Sequence, residues 1–311
     1  IELYDPDLIK EFCSKMAKSF VKDTRLYNIV PEYLLKGMLF TEGESWKFQR
    51  KLTSQVFHFE YMNRCLPSIN ETCDEWIEYY CKGQTLQLDV PEVFKLYTGA
   101  VVWKIFFGAS SYKPGCEADE MMTLNLQNLA LMTELVMSPK NMIFGKKFLQ
   151  LGLGSMERKY FKGLRTVEVF FTKVCRDMKQ KYLEDKSKGV QLNRPKNLIE
   201  LFLDEAEKDT SGNKMDDQDL VGQVLTFLIG GTDTTSNLLA LSQYLLATHP
   251  TVQEKLRQEI NECIGSKDIT YERISSMKYL DAVVKESLRL YGPAGFILPR
   301  VATEDTTLGD L

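Results

Sequence analysis

In the C-terminal half of this 311-residue sequence, Gly230-Gly231-Thr232-Asp233-Thr234-Thr235-Ser236-Asn237 sets one carboxylate and several hydroxyls between two apolar runs, Val224–Ile229 and Leu238–Leu241. On a helix, Gly230 and Thr234 are four apart and share a face, so the side chain missing at one leaves space beside the hydroxyl of the other. A flat ligand could approach the backbone there. Asp233 lies about 100° further round, placed to relay a proton toward the Thr234 hydroxyl from another side. The competing reading is a helix broken at Gly230-Gly231, with the polar turn in water. Each glycine costs a helix interior about 1 kcal/mol relative to alanine. Asp, Thr and Ser also compete with the helix for its own backbone groups.

Two more pairs have helical spacing. Trp46 and Arg50, four apart, would aim an indole N–H and a guanidinium the same way, two donor groups without an acceptor, suited to an anion. Packing and a surface charge explain them equally well. Glu286 and Arg289, three apart, lie opposite an apolar stripe of Leu280, Val283, Val284, Leu288 and Tyr291, as any solvated ion pair on a helix would.

The elements that must position these residues are mostly helical. Ile1–Tyr4 alternates like a short strand, and a helix follows from about Asp7 to Ser19. A second helix runs from Thr41 to Phe57, with Thr41-x-x-Glu44 fitting a capping box. Further helical patterns cover about 60–82, 91–108, 117–137, 155–186 and 195–208, with glycines and prolines between them. The longest runs from about Asp217 to Thr248, a rod of about 48 Å that ends at His249-Pro250. Helices at about 250–264 and 277–291 and strand-like stretches at 296–298 and 301–303 close the chain. The expected architecture is mainly α with a small sheet, and residues 1–311 read as one incomplete domain with both ends cut.

Composition narrows the function. Net charge is −4 and no long basic run appears, which argues against a nucleic-acid partner. The seven cysteines (Cys13, Cys65, Cys73, Cys81, Cys116, Cys175 and Cys263) include no C-x-x-C pair, and His58 and His249 are the only histidines. Zinc-site spacing is absent, and reduced, mostly buried thiols are expected rather than a disulfide framework. No apolar stretch approaches the roughly 18 residues of a membrane span, and no signal-peptide pattern opens the chain.

The string from Phe227 to Ser236 resembles the oxygen-binding segment of the cytochrome P-450 family, with its Ala/Gly-Gly-x-Asp/Glu-Thr-Thr/Ser pattern. Lys285-Glu286-Ser287-Leu288-Arg289 resembles that family's E-x-x-R helix, and Trp46-Lys47-Phe48-Gln49-Arg50 its W-x-x-x-R helix. The resemblance implies the cytochrome P-450 fold, haem b as cofactor, and an O2-dependent monooxygenase. Asp233 and Thr234 would then deliver protons, and Gly230 and Gly231 would border the haem. Trp46 and Arg50, with Arg300 as a shorter match, would hold its carboxylates. Glu286 and Arg289 would form a buried structural ion pair.

The resemblance implies partners too: an apolar small-molecule substrate, O2, and a reductase passing on electrons from NAD(P)H. It places the axial cysteine beyond Leu311, so no metal ligand is expected in this chain, which by itself should be inactive. For a eukaryotic full-length protein it implies membrane contact at the endoplasmic reticulum. Two other functions stay open, a truncated interaction protein and a peroxide-processing isomerase or dehydratase on the same fold.

Overall fold

The computed structural model describes residues 3–23, 30–56, 59–80, 88–108, 112–113, 115–136, 138–139, 143, 151–190, 196–209, 215–265, 267–294 and 299–309. The first helix, α1 (Pro6–Cys13), starts where the Asp5 carboxylate accepts the N–H groups of Asp7 and Leu8, with Pro6 in the first turn. It stops well short of Ser19, because β1 (Phe20–Lys22) follows a run of turns and pairs antiparallel with β2 (Arg300–Ala302). The alternation at Ile1–Tyr4 is no strand at Leu3 and Tyr4, and Ile1 and Glu2 lie outside the described residues. Alternation makes a strand only where a partner supplies the ladder, and β2 takes residues 20–22 instead. Residues 296–298 also lie outside the description.

A short α2 (Glu32–Leu35), not legible in the pattern, precedes α3 (Gly43–Val56). The anticipated Thr41–Glu44 box does not form: the Thr41 hydroxyl donates instead to Gln49 Oε1 at 2.9 Å. Gln49 is buried and needs partners at both ends of its amide, and its Nε2 donates to the Lys36 carbonyl at 2.8 Å.

Next come α4 (Phe59–Tyr80), α5 (Val90–Phe107), α6 (Glu117–Val136), α7 (Ser155–Ser187) and α8 (Leu198–Lys208). Gly108, in the left-handed region at φ 63°, ends α5. A full capping box between Asn197 and Glu200 starts α8. The long α9 (Asp217–Thr248) spans 32 residues, and α10 (Pro250–Cys263), α11 (Tyr271–Ser276) and α12 (Lys278–Leu290) follow.

The core lies around the first half of α9, where Leu220, Val221, Val224, Leu225 and Leu228 are at most 1% exposed. Helices α2, α5 and α7 pack against α9. The ring of Phe227 sits 5.8 Å from Phe106 of α5 and 6.0 Å from Phe202 of α8, closing the seam between three helices. The chain is therefore mainly α, with one small antiparallel sheet among the described residues, as the sequence indicates.

The apolar stripe expected to seat α12 does not do so. Ser287 is its buried residue, while Val284, Leu288 and Tyr291 are 37%, 41% and 46% exposed. Helix α12 rests on α9 and α10, with Ser287 buried and Leu280 and Val283 of the stripe half-buried.

Candidate functional site

The polar centre of α9 is continuous helix, which excludes the broken-helix reading. Its N-terminus is fixed by a reciprocal Asp216–Asp219 capping box, and its middle by the α5 crossing. The two glycines have different surroundings. A Cβ at Gly231 would come within 2.9 Å of Val102 Cγ2 on α5, whereas a Cβ at Gly230 would meet nothing within 4 Å. Gly231 therefore permits close helix packing, and only Gly230 lies on an open face. Thr234 shares that face, and its hydroxyl donates to the Gly230 carbonyl at 2.5 Å.

Asp233 turns elsewhere. With Thr232 it walls a cavity of about 440 Å³ between α5, α6 and α9, whose other charged walls are Glu92, Lys95 and Asp119. Asp119 is itself held by the Tyr112 hydroxyl and the Gly115 N–H, both at 2.8 Å. The acid and the alcohol thus occupy two sides of one helix, the acid beside the cavity and the alcohol beside the open face.

Sequence reasoning missed Thr98 of α5. It is 3% exposed, and its hydroxyl lies 3.0 Å from the Thr232 carbonyl, across the α5–α9 crossing. A threonine followed by Gly99 was the local signal, but nothing local says which carbonyl it meets.

On α3, Trp46 is 40% exposed and Arg50 is exposed, so both donors remain on the surface. Arg300 of β2 faces Lys22 of β1 directly across the sheet. Lys22 was also missed, because its importance arises only from strand pairing. Its ammonium donates to the Thr41 carbonyl at 2.6 Å and toward the Met38 carbonyl at 3.4 Å, tying β1 to the entrance of α3. Burial and the facing Arg300, partly offset by Glu42, pull its pKa down to about 8. Lys22 and Arg300 thus stand beside the start of the helix that carries Trp46 and Arg50.

Glu286 and Arg289 do pair, through two hydrogen bonds of 2.7 Å, but not in the interior. Their side chains are 55% and 67% exposed in this chain. The physical reason is the orientation of α12, which turns Ser287 rather than Glu286 inward. Of the cysteines, Cys65 and Cys175 are buried, and all six within the described residues are free thiols. Burial, reinforced by Asp217, pushes the Cys175 thiol up to about 12, which makes it inert. Cys81 and His58 lie outside the described residues.

The chain is a helical body crossed by one long helix that carries an open glycine–threonine face. The sequence profile of the Cytochrome P450 family matches residues 1–311, and the chain belongs to that family. Among relatives, human cytochrome P450 4F12 is 28% identical over 100% of this chain and 60% of its own length. Cytochrome P450 734A1 of Arabidopsis thaliana is 30% identical over 98% of this chain and 56% of its own. The chain thus spans about 60% of the length of such relatives. A crystallised cytochrome P450, CYP102L1, superposes with a TM-score of 0.76 at 20% identity, covering 98% of this chain and 67% of that one.

Proposed function

We propose that the full-length protein is a haem-dependent monooxygenase that inserts one atom of O2 into an apolar organic substrate. Residues 1–311 would be part of its single catalytic domain. The observation that carries this reading is the Gly230–Thr234 face, an unobstructed backbone with a hydroxyl beside it, on the helix whose next residue back is an acid. The residues suit a flat dianionic cofactor: open space at Gly230, and N–H donors and cations on α3 and the sheet. Trp46, Arg50, Arg300 and Lys22 would hold its carboxylates. When bound, haem supplies O2 activation and the oxidation itself, with electrons from NAD(P)H through a reductase.

The chain's own share is positioning and protons. Gly230 keeps the approach clear, and Thr234 holds its hydroxyl on that side against the Gly230 carbonyl. Asp233 takes protons from the cavity side and passes them toward Thr234. Buried Leu225 and Leu228 and the Phe106–Phe227 contact keep water out of the helix flanks. Among the described residues no helix is long and apolar enough to cross a membrane.

The test uses the full-length protein loaded with haem and supplied with reductase. Relatives include 7-deoxyloganic acid hydroxylase of Catharanthus roseus and a mouse leukotriene-B4 omega-hydroxylase, so a substrate panel begins with those two acids. Substrate-dependent O2 uptake with a hydroxylated product supports the proposal, and Thr234→Ala should divert electrons to peroxide with substrate affinity unchanged. A haem-loaded, reducible protein that oxidises no member of a broad apolar panel would overturn it.

A further inference from the structure

The α5–α9 crossing carries more than packing. Thr98 could satisfy its hydroxyl within its own helix, since the Phe94 and Lys95 carbonyls lie 2.9 and 3.2 Å away. Yet the same oxygen stands 3.0 Å from the Thr232 carbonyl of α9. One O–H proton is therefore shared between an intrahelical and a cross-helix acceptor. The approach is close enough for this because α9 carries a glycine, Gly231, at the crossing. A Cβ at Gly99 would meet the Tyr112 hydroxyl at 3.1 Å and Thr232 Cγ2 at 3.8 Å, and one at Gly231 would strike Val102.

The α9 segment held by this contact is intrinsically weak. Two of its carbonyls receive hydroxyls from their own helix: Gly230 from Thr234 at 2.5 Å and Asp233 from Ser236 at 2.9 Å. Such bonds compete with the backbone ladder and loosen a helix locally. Two glycines weaken it further. Thr232 is 1% exposed and its own hydroxyl finds no partner among the described residues, so it supplies no second anchor. What fixes the rotational setting of this segment must come from outside it, and Thr98 is the polar group that reaches in.

We propose that Thr98 is a positioning residue. By pinning the Thr232 carbonyl it keeps Asp233 on the cavity side while Gly230 and Thr234 keep the open face. It touches neither substrate nor cofactor, and its catalytic consequence rests on the monooxygenase reading above. The role of the pin in the helix does not.

The experiment follows amide hydrogen exchange in α9 for wild type, Thr98→Val and Thr98→Ser. Valine keeps the shape and removes the hydroxyl, while serine keeps the hydroxyl. A net hydrogen bond of ordinary strength predicts exchange about fivefold faster in Thr98→Val across residues 229–238. Exchange in α7 and α10 should be unchanged, and Thr98→Ser should match wild type. If Thr98→Val does not fold, Thr98→Ala against Thr98→Ser isolates the same hydroxyl. Uniform acceleration in all helices, no acceleration, or failure of serine to rescue would overturn the pin. In the full-length haem-loaded protein, Thr98→Val should raise the share of electrons lost to peroxide at unchanged substrate affinity, and Thr98→Ser should not. A local exchange effect with unaltered peroxide share would reduce Thr98 to a packing contact and overturn its positioning role. If wild type itself turns nothing over, the monooxygenase reading fails while the exchange arm still decides the pin.

Discussion

Lys22 and Arg300 face each other across the two-stranded sheet, two cations at directly opposed positions of an antiparallel pair. Like charges so placed oppose pairing unless something compensates them. Glu42 supplies part of that, since its carboxylate accepts the Lys22 backbone N–H.

The first prediction follows from the depressed Lys22 ammonium. Folded Lys22 releases its proton near pH 8, whereas the unfolded chain keeps it to about 10.5. Between these values the unfolded state binds more protons, so rising pH favours the folded state, and below 8 the penalty is present in full. Urea midpoints of wild type measured relative to Lys22→Met should therefore climb from about pH 8 to 10.5 and stay flat below. A constant difference across that window would show that Lys22 is not held as described.

The second concerns the two glycines. Gly230→Ala adds a methyl to open space and should stabilise α9 by up to about 1 kcal/mol through helix propensity. Gly231→Ala drives a methyl into Val102 and should destabilise by about 1–3 kcal/mol, as overpacking does. Chemical denaturation of both variants reads the sign. In the full-length protein Gly230→Ala should still bind haem, since alanine is one of the two residues that the matched pattern carries at this position. Opposite signs are the signature, and equal effects would refute the assignment.

The third concerns Glu286. Both partners of the Glu286–Arg289 bridge are exposed, and Arg289 holds the Glu286 carboxyl below its ordinary range only through a surface contact. Glu286→Ala in this chain should leave the thermal midpoint and helical circular dichroism as they are. Loss of folded protein would mean that the pair is buried in solution.

The fourth tests a buried cation. The Lys104 side chain is 5% exposed, with Glu75 at 3.0 Å and Glu71 at 3.4 Å. Replacing both acids by glutamine leaves that charge poorly matched and should cost about 1–3 kcal/mol. Lys104→Met removes the charge with its penalty and should fall within about 1 kcal/mol of wild type. If the methionine variant proves the less stable of the two, the ion pairs stabilise the α4–α5 contact outright.

What the sequence settled by itself was local and periodic. The extent of α9, the pairing of Glu286 with Arg289 and the shared face of Gly230 and Thr234 follow from helical spacing, because three- and four-residue neighbours meet in any helix. The mainly α fold was legible for the same reason. Tertiary structure alone decided which faces are covered. Gly231 and Gly230 are indistinguishable in sequence, and α5 separates them by placing Val102 against one. The Thr41–Glu44 box lost to Gln49, a buried amide whose need for partners outweighed a cap. The stripe on α12 turned outward although its periodicity suited burial. Lys22 and Thr98 gained their significance from residues 278 and 134 positions away in the chain. Side-chain spacing along one helix says what can share a face, but the choice of face is made by whatever buries the most apolar surface and leaves the fewest polar groups unpaired.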